Sequence, residues 1–311
     1  MKKLPFLLLM LSFSVAFGQS PEKMAEADAL IKQGKYGNAK SILDKLISKH
    51  PLHDTLLTNR GICFYELDKI QEAYNDLTAA IDINSKMALA YLYRGYVFMS
   101  AGQTAEAIND LNMAVRNAPN DSIKVWSLNS RGSARMKMRN IDGAIEDHRA
   151  VLLIDSLNIG ALNDLGMALN QQGKHDEGLD CLYKIATIDS SLIFVPMNIG
   201  YILISKEKYS EAIEWINKAI KLDDKQPLAY NNRGYAKLKL GNANDALTDI
   251  NKSLSLKANN NYAYRNRALV YLEMKEVDKA CADMRHSIDL GFTEQYGNEL
   301  KDLIRDNCGQ K

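Results

Sequence analysis

The sequence predicts an all-α protein, an α-solenoid of stacked helical hairpins, and three periodic features carry that prediction. The first is a series of glycines, Gly61, Gly95, Gly132, Gly166, Gly200 and Gly234, spaced 34, 37, 34, 34 and 34 residues apart. The second keeps the same intervals twelve places later with Ala39, Ala73, Ala107, Ala144, Gly178, Ala212, Ala246 and Ala280. Small side chains at two such places, with a turn between them, are what an antiparallel helix pair needs where its backbones approach most closely. The third is punctuation: Gly34, Gly102, Gly173 and Gly241 can end a first helix, and Pro51 and Pro119 close two of the second helices.

Along the chain, Lys2 and Lys3 precede an apolar run from Leu4 to Phe17, with small residues at Ala16 and Gly18. This is the pattern of a cleaved secretory signal over residues 1–18. The run is shorter than the roughly 20 apolar residues a membrane span needs, so the expectation is an exported chain, periplasmic or secreted, without membrane insertion. The first cysteine is Cys63, which leaves no acceptor for lipid attachment near the cut. Lys plus Arg number 39 against 38 Asp plus Glu, a formal charge of +1 in 311 residues, and about −1 once the two signal lysines are removed. So even a balance removes the long-range field that nonspecific nucleic-acid binding and electrostatic membrane docking rely on. Length alone predicts about two domains.

The spacing, with glycine at the eighth place of the unit, alanine at the twentieth and proline at the thirty-second, resembles the tetratricopeptide repeat. The resemblance implies a right-handed superhelix of eight units, at residues 20–53, 54–87, 88–121, 125–158, 159–192, 193–226, 227–260 and 261–294. A three-residue insertion, Ser122 to Lys124, accounts for the one long interval. Ala27 and Ala268 replace glycine and Gly178 replaces alanine, so those units are expected to pack less regularly. Beyond them, residues 295–311 read as one capping helix and tail, with Tyr296, Leu300, Leu303 and Ile304 on a single stripe. A repeat array needs such a cap because its last unit otherwise exposes an apolar face.

Five units carry arginine at the seventh place, Arg60, Arg94, Arg131, Arg233 and Arg267, and the same five carry aspartate at the twenty-third, Asp76, Asp110, Asp147, Asp249 and Asp283. The other two units of this register hold Leu165 with Cys181 and Ile199 with Trp215, so the two places switch together. Facing places in an antiparallel hairpin make this an internal salt bridge rather than a phosphate site. Of the four cysteines, Cys281 and Cys308 are the reachable pair, and a bond between them would close a loop worth ~3.5 kcal/mol in the chain-entropy model. The histidines share no helix face, which disfavours a metal site, and His148 occupies an otherwise apolar packing place. No phosphate loop, nucleophile elbow or dinucleotide fingerprint is present, so neither a cofactor nor an enzyme is expected.

In the resembled family, first helices line the concave side. That implies a greasy zone of Tyr65, Leu89, Leu92, Tyr93, Tyr96, Met99, Trp126 and Met136, followed by a polar zone. The polar zone holds Asn163, Asn170, Asn198, Tyr201, Asn231, Asn232, Tyr235, Arg265 and Asn266. Asn59, Asn198, Asn232 and Asn266 recur at the sixth place, where some family members grip a peptide backbone with a ladder of amides; solvated side chains or contacts between neighbouring units are the alternative. The function implied is a noncatalytic scaffold for a peptide or helix of another protein. Self-assembly into a homo-oligomer and a carbohydrate-active accessory role are the competing readings.

Overall fold

The computed structural model describes residues 20–309, and the expected signal at residues 1–18 lies outside them. Eighteen helices and no strand occur among the described residues. Two compact units divide the chain, one ending at Ala161 and the other beginning at Leu162. The first contains the hairpins α1 (Ser20–Lys32) with α2 (Tyr36–Lys49), α3 (Asp54–Glu66) with α4 (Ile70–Ile83), α5 (Ala88–Ser100) with α6 (Thr104–Asn117), and α7 (Asp121–Lys137) with α8 (Ile141–Ile154). The second takes most of α9 (Ile159–Gln171) with α10 (His175–Ile188), then α11 (Phe194–Ser205) with α12 (Tyr209–Leu222). It continues through α13 (Pro227–Lys239) with α14 (Ala243–Leu256) and α15 (Asn261–Glu273) with α16 (Val277–Asp289), and ends in α17 (Phe292–Tyr296) and α18 (Glu299–Asn307).

The periodic glycines are holes that receive a side chain from the second helix. A Cβ at Gly61 would stand 2.7 Å from Leu77 Cγ, one at Gly200 2.5 Å from Ile216 Cγ1, and one at Gly234 2.6 Å from Ile250 Cγ1. At Gly132 the hole is filled by the fully buried His148 ring, whose Cε1 would lie 2.7 Å away. The α9–α10 hairpin is tighter still: a Cβ on Gly178 would lie 2.7 Å from the backbone oxygen of Gly166. Glycine at that place is a requirement of the close approach, not a lapse in regularity.

Each first helix ends in a residue with left-handed backbone. Gly34, Gly102, Gly173 and Gly241 do so in alternate hairpins, and Asp68, Arg139, Glu207 and Lys275 take the same conformation, at φ of 58–59°, in the others. The turn is closed by a backbone bond back to the helix, for example Lys69 N to Phe64 O at 2.8 Å. The insertion before Val125 lengthens α7 to 17 residues, against 13 in α5, and Asn120 caps it by accepting from Ile123 N at 3.0 Å.

The expected single capping helix is two helices. Gly297, at φ 88° and ψ −163°, occupies a region open in practice to glycine alone and breaks the stripe. Phe292 and Leu300 are fully buried, whereas Tyr296 is 52% exposed and lies 5.2 Å from the Tyr262 ring. A disulfide joins Cys281 of α16 to Cys308 just past α18, with Cα atoms 5.9 Å apart.

Candidate functional site

The five arginines and their aspartates meet inside each hairpin as two-pronged pairs. Arg60 Nε and Nη2 donate to Asp76 at 2.6 and 2.9 Å, Arg94 to Asp110 at 2.7 and 2.9 Å, and Arg131 to Asp147 at 3.0 and 2.5 Å. In the second unit Arg233 donates to Asp249 at 2.8 and 2.6 Å, and Arg267 to Asp283 at 2.7 and 2.9 Å. The carboxylate bonds hold the Arg60, Arg94, Arg233 and Arg267 guanidinium groups above their ordinary pKa, against the effect of burial. The remaining arm, Nη1, reaches the preceding hairpin in every case: Asp44, Thr78 and Asn112 in the first unit, Asn217 and Asn251 in the second. Each arginine therefore closes its own hairpin and fastens it to its neighbour, a spine that leaves no fork free for phosphate.

In the first unit the tyrosines of the greasy zone pack on one another. Tyr65, Tyr93 and Tyr96 form edge and tilted contacts with centroids 5.3–6.0 Å apart, and the Tyr96 hydroxyl bonds Ser130 Oγ at 3.0 Å. Burial raises the Tyr93 phenol and pushes that of Tyr96 up to about 12. Leu89, Leu92 and Tyr93, expected on the open groove, are buried instead, because they pack into the apolar core that the helices of the first unit share. Tyr65, Tyr96, Met99, Trp126 and Met136 retain partial exposure and form the open part of this surface.

The second unit presents an amide and tyrosine surface, and here the expected ladder is corrected. Asn266 Nδ2 donates to Asn231 Oδ1 at 3.0 Å with both side chains fully buried, and Asn198 donates to Asn163 at 2.8 Å. Asn59 likewise donates to Asp28 at 2.7 Å in the first unit. These amides join one first helix to the next; Asn231 and Asn266 are closed to a ligand because both are fully buried, Asn231 Oδ1 accepting from Asn266 and Asn266 Oδ1 from Arg265. Asn170 is also buried and bonds the His175 ring at 2.7 Å. Asn163, Asn198, Asn232, Tyr201 and Tyr235 keep exposed surface, with Tyr201 38% exposed.

Beneath them lies Arg265. Its Nη1 donates to Asn266 Oδ1 at 2.8 Å, while Nε and Nη2 hold the Glu299 carboxylate at the start of α18. The Tyr235 and Tyr262 rings lie 5.5 and 5.6 Å from the guanidinium. Burial works against the charge, but Glu299 outweighs it and keeps the Arg265 pKa high. The cap residue Glu299 was not among the sequence candidates, although it falls 34 residues after Arg265, the repeat interval itself.

Hairpins joined by a spine of ion pairs, each offering side chains from the same places on its first helix, define a helical repeat protein. Profiles described as tetratricopeptide repeat match residues 24–84, 68–122 and 228–260, and one described as TPR repeat matches 200–241. The chain carries tetratricopeptide repeats. Tetratricopeptide repeat protein 16 of Homo sapiens is 28% identical over 131 residues, 40% of this chain, and the chain spans only 15% of that protein's length. A tetratricopeptide repeat protein from Parabacteroides merdae shares the fold with TM-score 0.61 at 22% identity, over 81% of this chain and 99% of that one. A chain of the APC/C hetero-tetramer Cut9–Hcn1 aligns with TM-score 0.65 at 19% identity, over 94% of this chain and 56% of its own. YrrB, a TPR protein with an unusual peptide-binding site, aligns with TM-score 0.53 at 21% identity, over 60% of this chain and 95% of its own.

Proposed function

We propose that this chain is a noncatalytic interaction scaffold of the cell envelope or secreted space, which binds a peptide segment or helix of another protein on its first helices. The observation that carries the reading is the surface of the second unit. Asn232, Tyr201 and Tyr235 there combine amide donors and acceptors with aromatic faces, and the paired Arg265 stiffens the layer below. Aromatic side chains give large contact area with little entropy to lose, and amides can satisfy a peptide backbone of varied sequence. The peptide-binding site described for the structurally similar YrrB supports the reading by analogy of fold.

The test is affinity capture with crosslinking from envelope and secreted fractions, comparing wild type with an Asn232→Ala, Tyr235→Ala variant shown by circular dichroism to be folded. A partner held by the wild type and lost by the variant supports the proposal. Equal capture by both would move binding off the second-unit surface and refute this placement.

A further inference from the structure

Within the second unit the arginine spine is missing from the α9–α10 and α11–α12 hairpins, and a cleft opens beside the latter. Ile199 is fully buried where the α13–α14 and α15–α16 hairpins have arginine, and Trp215 stands where they have aspartate. Tyr183 of α10 takes the place that Asn217 and Asn251 fill in later hairpins. Its ring lies 5.7 Å from that of Trp215, so an aromatic contact substitutes for the polar link between hairpins. Next to this pair is a cleft of about 550 Å³, walled by Val195 and Pro196 of α11 and by Trp215 and Leu222 of α12. That volume lies within the range of specific ligand pockets. Leu222 is 47% exposed and Tyr183 37%, so the apolar surface continues past the cleft mouth.

Two cations border this surface. Lys218 and Lys221 line the cleft, and the Lys218 ammonium sits 3.6 Å from the centre of the Trp215 ring. Among the described residues neither lysine has a carboxylate partner. Two acidic residues of the flanking loops are engaged within their own turns, Asp189 accepting from Ser191 N at 2.9 Å and Asp223 from Lys225 N at 2.9 Å, while Asp224 is exposed beyond the end of α12. A partly exposed tryptophan in an apolar recess is a strong anchor for a protein partner, and unpaired cations at its rim select for negative charge.

We propose that this cleft docks an acidic, apolar peptide segment of a partner protein, separately from the first-helix surface. A leucine or aromatic side chain of the segment enters against Trp215 and Leu222, and flanking carboxylates meet Lys218 and Lys221. The test uses fluorescence anisotropy with a labelled synthetic peptide of Glu, Leu and Phe. Two control peptides replace every Glu by Lys or every Leu and Phe by Ser. Proteins compared are the wild type, the Lys218→Glu, Lys221→Glu variant, and the Asn232→Ala, Tyr235→Ala variant, each with its fold checked by circular dichroism.

The expected result is binding of the acidic apolar peptide to the wild type and to the first-helix variant, weakened at least about tenfold by the lysine reversals, with neither control peptide bound. Three outcomes would overturn the proposal: no binding to the wild type, equal binding to the lysine-reversed variant, or loss of binding only in the first-helix variant. A concentration-dependent dimer by light scattering that the lysine reversals disperse would also overturn it, because a second copy would then be the occupant. The fold of the lysine-reversed variant is safe from the change, since both side chains project at the cleft rim rather than into the core.

Discussion

Replacing Asp110 by alanine removes both acceptors that hold Nε and Nη2 of Arg94, leaving only the 3.2 Å bond from Nη1 to Thr78. The side chains of the pair are 16% and 9% exposed. Breaking a well-buried ion pair from one side costs ~3–5 kcal/mol, since the remaining charge is left without its partner. Water reaches one edge of this guanidinium, which places the loss near the lower end, at about 3 kcal/mol. Asp76→Ala should cost less, because Arg60 Nη1 keeps the Asp44 carboxylate at 3.0 Å. Removing both charges with Arg94→Met and Asp110→Leu should recover most of the loss, since an apolar pair of similar volume is often neutral in place of a buried ion pair. The chain makes the same exchange itself with Ile199 and Trp215. The assay is urea unfolding followed by circular dichroism, with hydrogen exchange resolving α5 and α6, because repeat arrays open in parts. An Asp110→Ala midpoint equivalent to less than ~0.5 kcal/mol of loss, or a double variant no more stable than the single one, would refute the reasoning.

Three further outcomes follow from the same geometry. Gly178→Ala should destabilise by ~2–3 kcal/mol, because its Cβ would press on the Gly166 backbone oxygen at 2.7 Å and no flexible side chain can yield; an unchanged melting curve would show that α9 and α10 can separate freely. Glu207→Gly should stabilise by ~0.5–1 kcal/mol in urea unfolding, since the exposed glutamate holds φ 59° at a cost that glycine avoids. Asp28→Asn should stabilise the fold at neutral pH while keeping an acceptor for Asn59. Burial raises the Asp28 pKa, against Lys32 and the Asn59 bond, so the folded state holds its proton more tightly than the unfolded one. Wild-type stability therefore falls as pH rises through the window between the ordinary carboxylate value and the raised one, and the penalty persists above it. A pH series in which Asp28→Asn gives the same gain below that window as at neutral pH would contradict the assignment.

The hairpin order, the length of the units and the pairing of arginine with aspartate were legible because they recur. One repeat gives a pattern of small residues, and several in register exclude accident. The disulfide partners were legible by elimination, since Cys281 and Cys308 lie near one end of the array while Cys63 and Cys181 lie in earlier repeats. The third arm of each arginine was less visible: its acceptor changes from Asp44 to Thr78 to Asn112, and only the shared place in the repeat unites them.

By itself the sequence determined periodicity, and with it which residues must be small, which must turn and which pair across a hairpin, because these depend on local geometry repeated at one spacing. Exposure was decided by tertiary structure. Asn231 and Asn232 are neighbours in the chain with the same side chain, yet only Asn231 is fully buried, bonded to Asn266 of the next first helix. Likewise Gly297 carries no periodic signal, but its backbone splits the cap and sets Glu299 against Arg265. Which face of a helix a neighbour covers depends on the packing of residues 34 or more places away, and that depends on their crossing in space rather than on composition.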